Sequence, residues 1–174
     1  NPVLAVLNLI CKIYVTVIRG TPMLVQLMIM GFVVFQNSRN FTMVGALALG
    51  INSGAYVAEI IRGGLMSLDP GQMEAGRSLG LGYLPTMTFI VVPQAFKAIL
   101  PALGNEFITL LKDTSLISAI AGKEVVYFAK AIGAKTYDYM FPLLIIAVMY
   151  LILVLIFTWL QGILERRLRA SDRR

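Results

Sequence analysis

The chain has 174 residues, of which 58% are hydrophobic and only 14% charged, against about 45–50% and about 25% in soluble domains. These values exclude a disordered chain and argue against a soluble domain; at roughly 20 apolar residues per membrane-crossing helix, there is room for five or six spans. The formal charge of +6, from 15 Lys+Arg and 9 Asp+Glu, is the kind of excess that membrane proteins keep in cytoplasmic loops, and by itself it does not imply nucleic acid.

Residues 1–19 read as an amphipathic helix, with Val3, Leu4, Leu7, Ile10, Cys11 and Tyr14 at helical spacing and Lys12 and Arg19 between them. Gly20 is expected to end it, Thr21 to cap the next helix, and Pro22 to fit that helix's first turn. The apolar run Met23–Phe35 becomes long enough to span if it is extended back through a snorkelling Arg19. After the polar turn 36–40, a second span is expected over Phe41–Ile61. Its middle, Asn52-Ser53-Gly54-Ala55, is small and polar, and a buried amide in lipid has to find a partner or line a wet cavity.

The connection 62–85 is polar and Gly-rich. It contains a well-signalled short helix: Asp69 at the N-cap, Pro70 at the first position, Gln72 placed for a capping box, and Gly80 and Gly82 as the stop. At about ten residues, roughly 15 Å, it is too short to cross. Thr86–Leu111 is a third apolar element, broken by Pro93 and Pro101 and carrying Gln94, Lys97, Asn105 and Glu106, a composition suited to a bundle interior. Leu116–Ala121, too short to cross, reads as a short helix or re-entrant piece, and 122–138 as polar and amphipathic. Met140–Leu160 is an uncharged fourth span, and Trp159 reads as an interface anchor. The tail 162–174 carries Arg166, Arg167, Arg169, Arg173 and Arg174, which places it in the cytoplasm. Alternating sides from there puts Arg62 and Arg77 inside with Lys12 and Arg19, and leaves Arg39, Lys123, Lys130 and Lys135 outside. The reading is therefore an all-α polytopic bundle of four spans, a single membrane domain over 1–174.

Histidine is absent and Cys11 is the lone cysteine, so Ser-His, Cys-His and HExxH chemistry are excluded, and no metal site is expected. There is no GxxxxGK[ST] run and hence no nucleotide site of the chain's own. Glu106, Thr109 and Asp113 fall at i, i+3 and i+7, along one helical stripe. Acids at membrane depth are functional candidates by default. With Asn52 they are the expected lining of a solute path, the carboxylates suiting an ammonium group and the amide a carboxylate. Asp113 has a second reading as a cap for the 115–121 helix. Glu59 and Arg62 read as a structural pair. Met23 and Leu24, after the Thr21-Pro22 break, are candidate gate residues.

The most specific pattern is Glu74-Ala75-Gly76, three residues, Gly80, nine residues, Ile90, one residue, Val92-Pro93. It resembles the EAA loop of ABC-importer permeases, with Gly76 in place of the second Ala and Val92 in place of Leu. Gly76 weakens the helix by about 1 kcal/mol relative to Ala. Ile18-Arg19-Gly20-Thr21-Pro22, the run Asn52 to Gly64, Val92-Pro93-Gln94-Ala95, Leu100-Pro101 and Leu110 to Leu116 are similar to the permeases of polar amino-acid importers. The resemblance implies a type I importer permease in a bacterial inner membrane. It implies five spans, so that the first is expected upstream of Asn1. It also implies that Asp69, Glu74, Ala75, Gly76 and Gly80 belong to a coupling helix seated in a separate ATPase subunit. No cofactor is implied for this chain, since ATP would be bound by that partner. The remaining implied partners are an extracytoplasmic binding protein, a second permease copy or paralogue, a polar amino acid and the lipid bilayer. An ion-coupled secondary carrier using Glu106 and Asp113 is the alternative, against which the lack of an internal repeat counts.

Overall fold

A computed structural model describes residues 2–171, with side chains to residue 168. Asn1 and, in the arginine-rich tail, Asp172, Arg173 and Arg174 lie outside the described residues. Eight α-helices are described: α1 (Pro2–Gly20), α2 (Met23–Ile29), α3 (Phe41–Met66), α4 (Gly71–Ser78), α5 (Tyr83–Thr86), α6 (Val92–Asp113), α7 (Val125–Thr136) and α8 (Met140–Ser171). Two π-helical turns, Met30–Val34 and Met87–Val91, extend α2 and join α5 to α6, and a 3-10 turn, Thr114–Ile120, follows α6.

Four segments are long and apolar enough to cross a membrane: Pro2–Gly20, Phe41–Met66, Tyr83–Ile120 and Met140–Leu168. The number agrees with the sequence reading, but the first segment differs. The apolar run after Pro22 forms only the short helix Met23–Val34, and the long helix is the preceding Pro2–Gly20. Arg19 does not extend α2 backward. It closes α1, where Glu59 accepts its charge at 3.6 Å and the Tyr56 ring lies 5.3 Å beneath it.

The bundle is organised around α3, which packs on α1, α2, α6 and the 3-10 turn. Its buried face is built of small residues, Gly45, Ala48, Ser53 and Ala55 among them, and such faces let helices approach closely in lipid. At Gly45 the Ile117 side chain comes so near that an added Cβ would lie 2.8 Å from its Cγ1. Leu27, Val44, Ala48 and Ile120 form the buried apolar cluster, with Met23, Met30, Phe41 and Leu116 against it. α1 buries no residue and α8 exposes most of its apolar side chains, as expected for helices facing lipid. Pro93 does not break the third element. It falls at the start of α6, directly after the π turn, while Pro101 lies inside that helix.

Candidate functional site

The loop helix α4 is set by local chemistry at both ends. Asp69 Oδ1 accepts the Gly71 N–H at 2.8 Å. The expected capping box is not formed, because Gln72 Oε1 accepts instead from Gln94 Nε2 on α6 at 2.9 Å. At the C-terminus Gly80 adopts φ +78°. The Leu81 N–H reaches Gly76 O at 3.0 Å and the Gly80 N–H reaches Arg77 O at 2.9 Å, which together satisfy orphan carbonyls in a Schellman turn. Glycine is required at position 80 because this backbone region is open to it without Cβ strain.

Gly76, which the resemblance assigns to the coupling helix, is buried within the chain, and a Cβ added there would stand 2.7 Å from Thr86 Oγ1, inside van der Waals contact. Thr86 is fully buried and its hydroxyl donates to Gly82 O at 2.9 Å. The small residue therefore serves the chain's own α4–α5 packing. Glu74, Ala75 and Arg77 remain exposed, as does Leu79 at 78%. Asp69 is exposed at the head of the same helix.

The polar groups of the spans sort into separate pairs. Asn52 is buried, at 8% exposure, and its Nδ2 donates to Gln26 Oε1 at 2.9 Å. Gln26 Nε2 lies 2.6 Å from Ile18 O, 2.7 Å from Thr21 Oγ1 and 3.2 Å from Thr21 O. This one side chain thus closes the α1–α2 elbow and ties it to α3. Thr21 does not cap α2; its hydroxyl donates back to Val17 O at 2.9 Å, and Pro22 occupies the cap position without a side-chain bond. Met23 packs on the buried cluster and Leu24 is 39% exposed.

Glu106 Oε1 accepts from Ser53 Oγ at 2.9 Å. Thr109 turns its hydroxyl back to Asn105 O at 3.1 Å. Asp113 lies about 10 Å further along α6 than Glu106. It is half-buried and its side chain does not cap the 3-10 turn that follows, so the capping alternative is not realised. Asn52 is thus committed to Gln26 on one side of α3, while Ser53 on the adjacent side meets Glu106. Ser53 and Gln26 are the residues that sequence reasoning did not single out. The signal was present: Gln26 is the one polar side chain of α2, and Ser53 stands beside Asn52.

The Glu59–Arg62 pair is formed, through Arg62 Nε at 3.0 Å and a second, shorter contact from Nη2. Arg19 joins it from α1, so one carboxylate answers two guanidinium groups. Tyr14 on α1 adds a bond to Ile51 O at 2.5 Å, and α1 therefore follows α3 in the same direction.

Residues 4–170 match the model of the family described as the binding-protein-dependent transport system inner membrane component. The arginine transport system permease protein ArtQ of Bacillus subtilis (strain 168) is 42% identical over 94% of this chain and 76% of its own length. The putative glutamine transport system permease protein GlnP of Rickettsia bellii (strain RML369-C) is 38% identical over 95% of this chain and 77% of its own. A solved structure, described as the crystal structure of an amino acid ABC transporter with histidines, superposes with a TM-score of 0.85 at 46% identity, covering 91% of this chain and 75% of that one. With the family model spanning nearly the whole chain and its relatives being amino-acid transport permeases, the chain belongs to the binding-protein-dependent transport system inner membrane components.

Proposed function

We propose that this chain is the membrane subunit of an ATP-driven importer that passes a polar amino acid, with ATP hydrolysis on a separate subunit. The observation that carries this reading is α4: a helix whose start is held by the Asp69 carboxylate and whose end is a Schellman turn, held by its buried face on α5 and showing Glu74 and Ala75 to solvent. A helix fixed on one side and bare on the other suits rigid-body movement by a partner seated on the bare side. The names of the relatives support an amino acid as the solute. An extracytoplasmic binding protein would deliver it, and a second permease copy or paralogue would complete the pathway.

In this reading the chain lies in the bacterial inner membrane. Arg62, Arg77, Arg166 and Arg167 favour a cytoplasmic 62–85 loop and C-terminus by the positive-inside rule. Asn52, Glu106, Thr109 and Asp113 line the solute path, and Thr21 to Leu24 form the apolar gate at the elbow. Family membership does not favour the ion-coupled carrier.

The test is uptake by proteoliposomes holding the complete complex. Uptake should need ATP and the ATPase subunit, and Ala75→Trp should abolish it together with co-purification of that subunit. Uptake driven by an ion gradient without the ATPase would overturn the proposal.

A further inference from the structure

α4 and α6 are joined covalently only through α5 and a π-helical turn, and the Gln94 side chain bridges them directly. Its Nε2 donates to Gln72 Oε1 at 2.9 Å and lies 3.0 Å from Ile90 O. One amide thus joins the loop helix, the π turn and the first turn of α6. Both glutamines are only partly exposed.

The π turn makes this reach possible. Its i→i+5 bond runs from Val92 N to Met87 O, which adds a residue to the helix. Each residue turns a helix by about 100°, so the same sequence wound as a continuous α-helix would carry Gln94 away from Gln72. π turns occur often at functional sites. On the same face, one turn further on, α4 is held by shape, Gly76 against Thr86. The loop helix is therefore fixed to α5 by packing and to α6 by a directional bond. Along α6, Glu106 lies about 18 Å and Asp113 about 28 Å beyond Gln94.

We infer that Gln94 is a positioning residue for transport: its bond to Gln72 delivers displacement of α4 to α6, and so to the carboxylates of that helix. The inference rests on α4 being the seat of the ATPase. Gln94 touches neither solute nor nucleotide, and its loss uncouples hydrolysis from movement without stopping either partner from assembling.

The experiment measures solute transported per ATP hydrolysed in proteoliposomes containing the whole complex and its binding protein. Gln72→Met and Gln94→Met keep side-chain length and remove the bond. Each should lower the ratio about five- to tenfold while ATPase subunits still co-purify, and the double variant should be no worse than either single one. Gln72→Glu keeps an acceptor for Gln94 and should stay within about twofold of the parent, whereas Gln94→Glu sets an oxygen against Ile90 O in place of the donating amide and should lower the ratio as Gln94→Met does. The Glu/Glu pair should uncouple through repulsion. Additive Met effects, an unchanged ratio in both Met variants, or a coupled Glu/Glu pair would overturn the inference. Should the Met variants fail to assemble, the glutamate set decides alone. Ala75→Trp separates the two levels. If it abolishes coupling while the Met variants do not, only the Gln94 link fails. If it leaves assembly and coupling intact, the role of α4 fails and the link with it.

Discussion

Gly76 of α4 and Thr86 of α5 touch so closely that no Cβ fits between them without displacement. The glycine costs α4 about 1 kcal/mol of helix propensity relative to alanine, and the contact explains why glycine stands where the EAA pattern has Ala. Forcing a methyl group into a filled site typically costs about 1–3 kcal/mol, so overpacking outweighs propensity. Gly76→Ala is expected to lower the thermal stability of the detergent-solubilised protein, and Thr86→Ala in the same chain to restore much of it. A single Gly76→Ala variant more stable than the parent would contradict the packing argument.

Gly80 is held at φ +78°, a conformation that costs an ordinary L-residue about 1–2 kcal/mol. Gly80→Ala should therefore fray the end of α4 and raise hydrogen exchange at the Leu81 and Gly80 amides, whose bonds close the turn. Exchange should be unchanged within the core of α3. Uniform exchange over the whole chain would point to global destabilisation instead.

Asn52→Ala removes the donor that satisfies Gln26 Oε1. Gln26 is part-buried, so its freed oxygen is only partly recovered by water and the melting temperature should fall. A Gln26→Leu/Asn52→Leu double variant should lose less than the sum of its single variants, because both partners leave together. A full sum would show that the two amides do not act as a pair.

Asp113→Asn tests the solute path. Its carboxylate does not cap the following turn, so neutralising it should leave folding largely intact and weaken apparent solute affinity about tenfold or more, most strongly for a cationic amino acid. Unchanged affinity and selectivity in this variant would remove Asp113 from the path.

Glu59→Gln leaves Arg19 and Arg62 facing each other without the shared carboxylate. Both arginines are more than one-third exposed, so the stability cost should be small. Detergent melting curves at low and high salt would measure it, with the difference from the parent shrinking as salt screens the repulsion.

Much of the fold was legible because its signals are local. The loop helix was read from Asp69, Gly80 and the polar run between them, and α8 from an uncharged stretch. Where the sequence misled, charges were judged alone. Residues 2–20 form the amphipathic helix expected, but the break between Gly20 and Met23 keeps Arg19 from extending the apolar run beyond Pro22. Arg19 is tolerated at the end of a long helix because Glu59 and Tyr56, forty residues on in the chain, receive it.

By itself the sequence determined the helical, multi-span character, the loop helix with its stop and the family motifs, since apolar runs and Gly and Pro act through the nearest turn of chain. Tertiary structure alone decided which polar group meets which. The stripe Glu106, Thr109 and Asp113 is correct as a spacing on α6, yet Glu106 pairs with Ser53, Thr109 folds back on its own helix and Asn52 belongs to Gln26. Those pairings depend on the relative height and rotation of neighbouring helices, which close packing at Gly45 and Gly76 and the extra residue of a π turn set, and no periodicity within one helix encodes them.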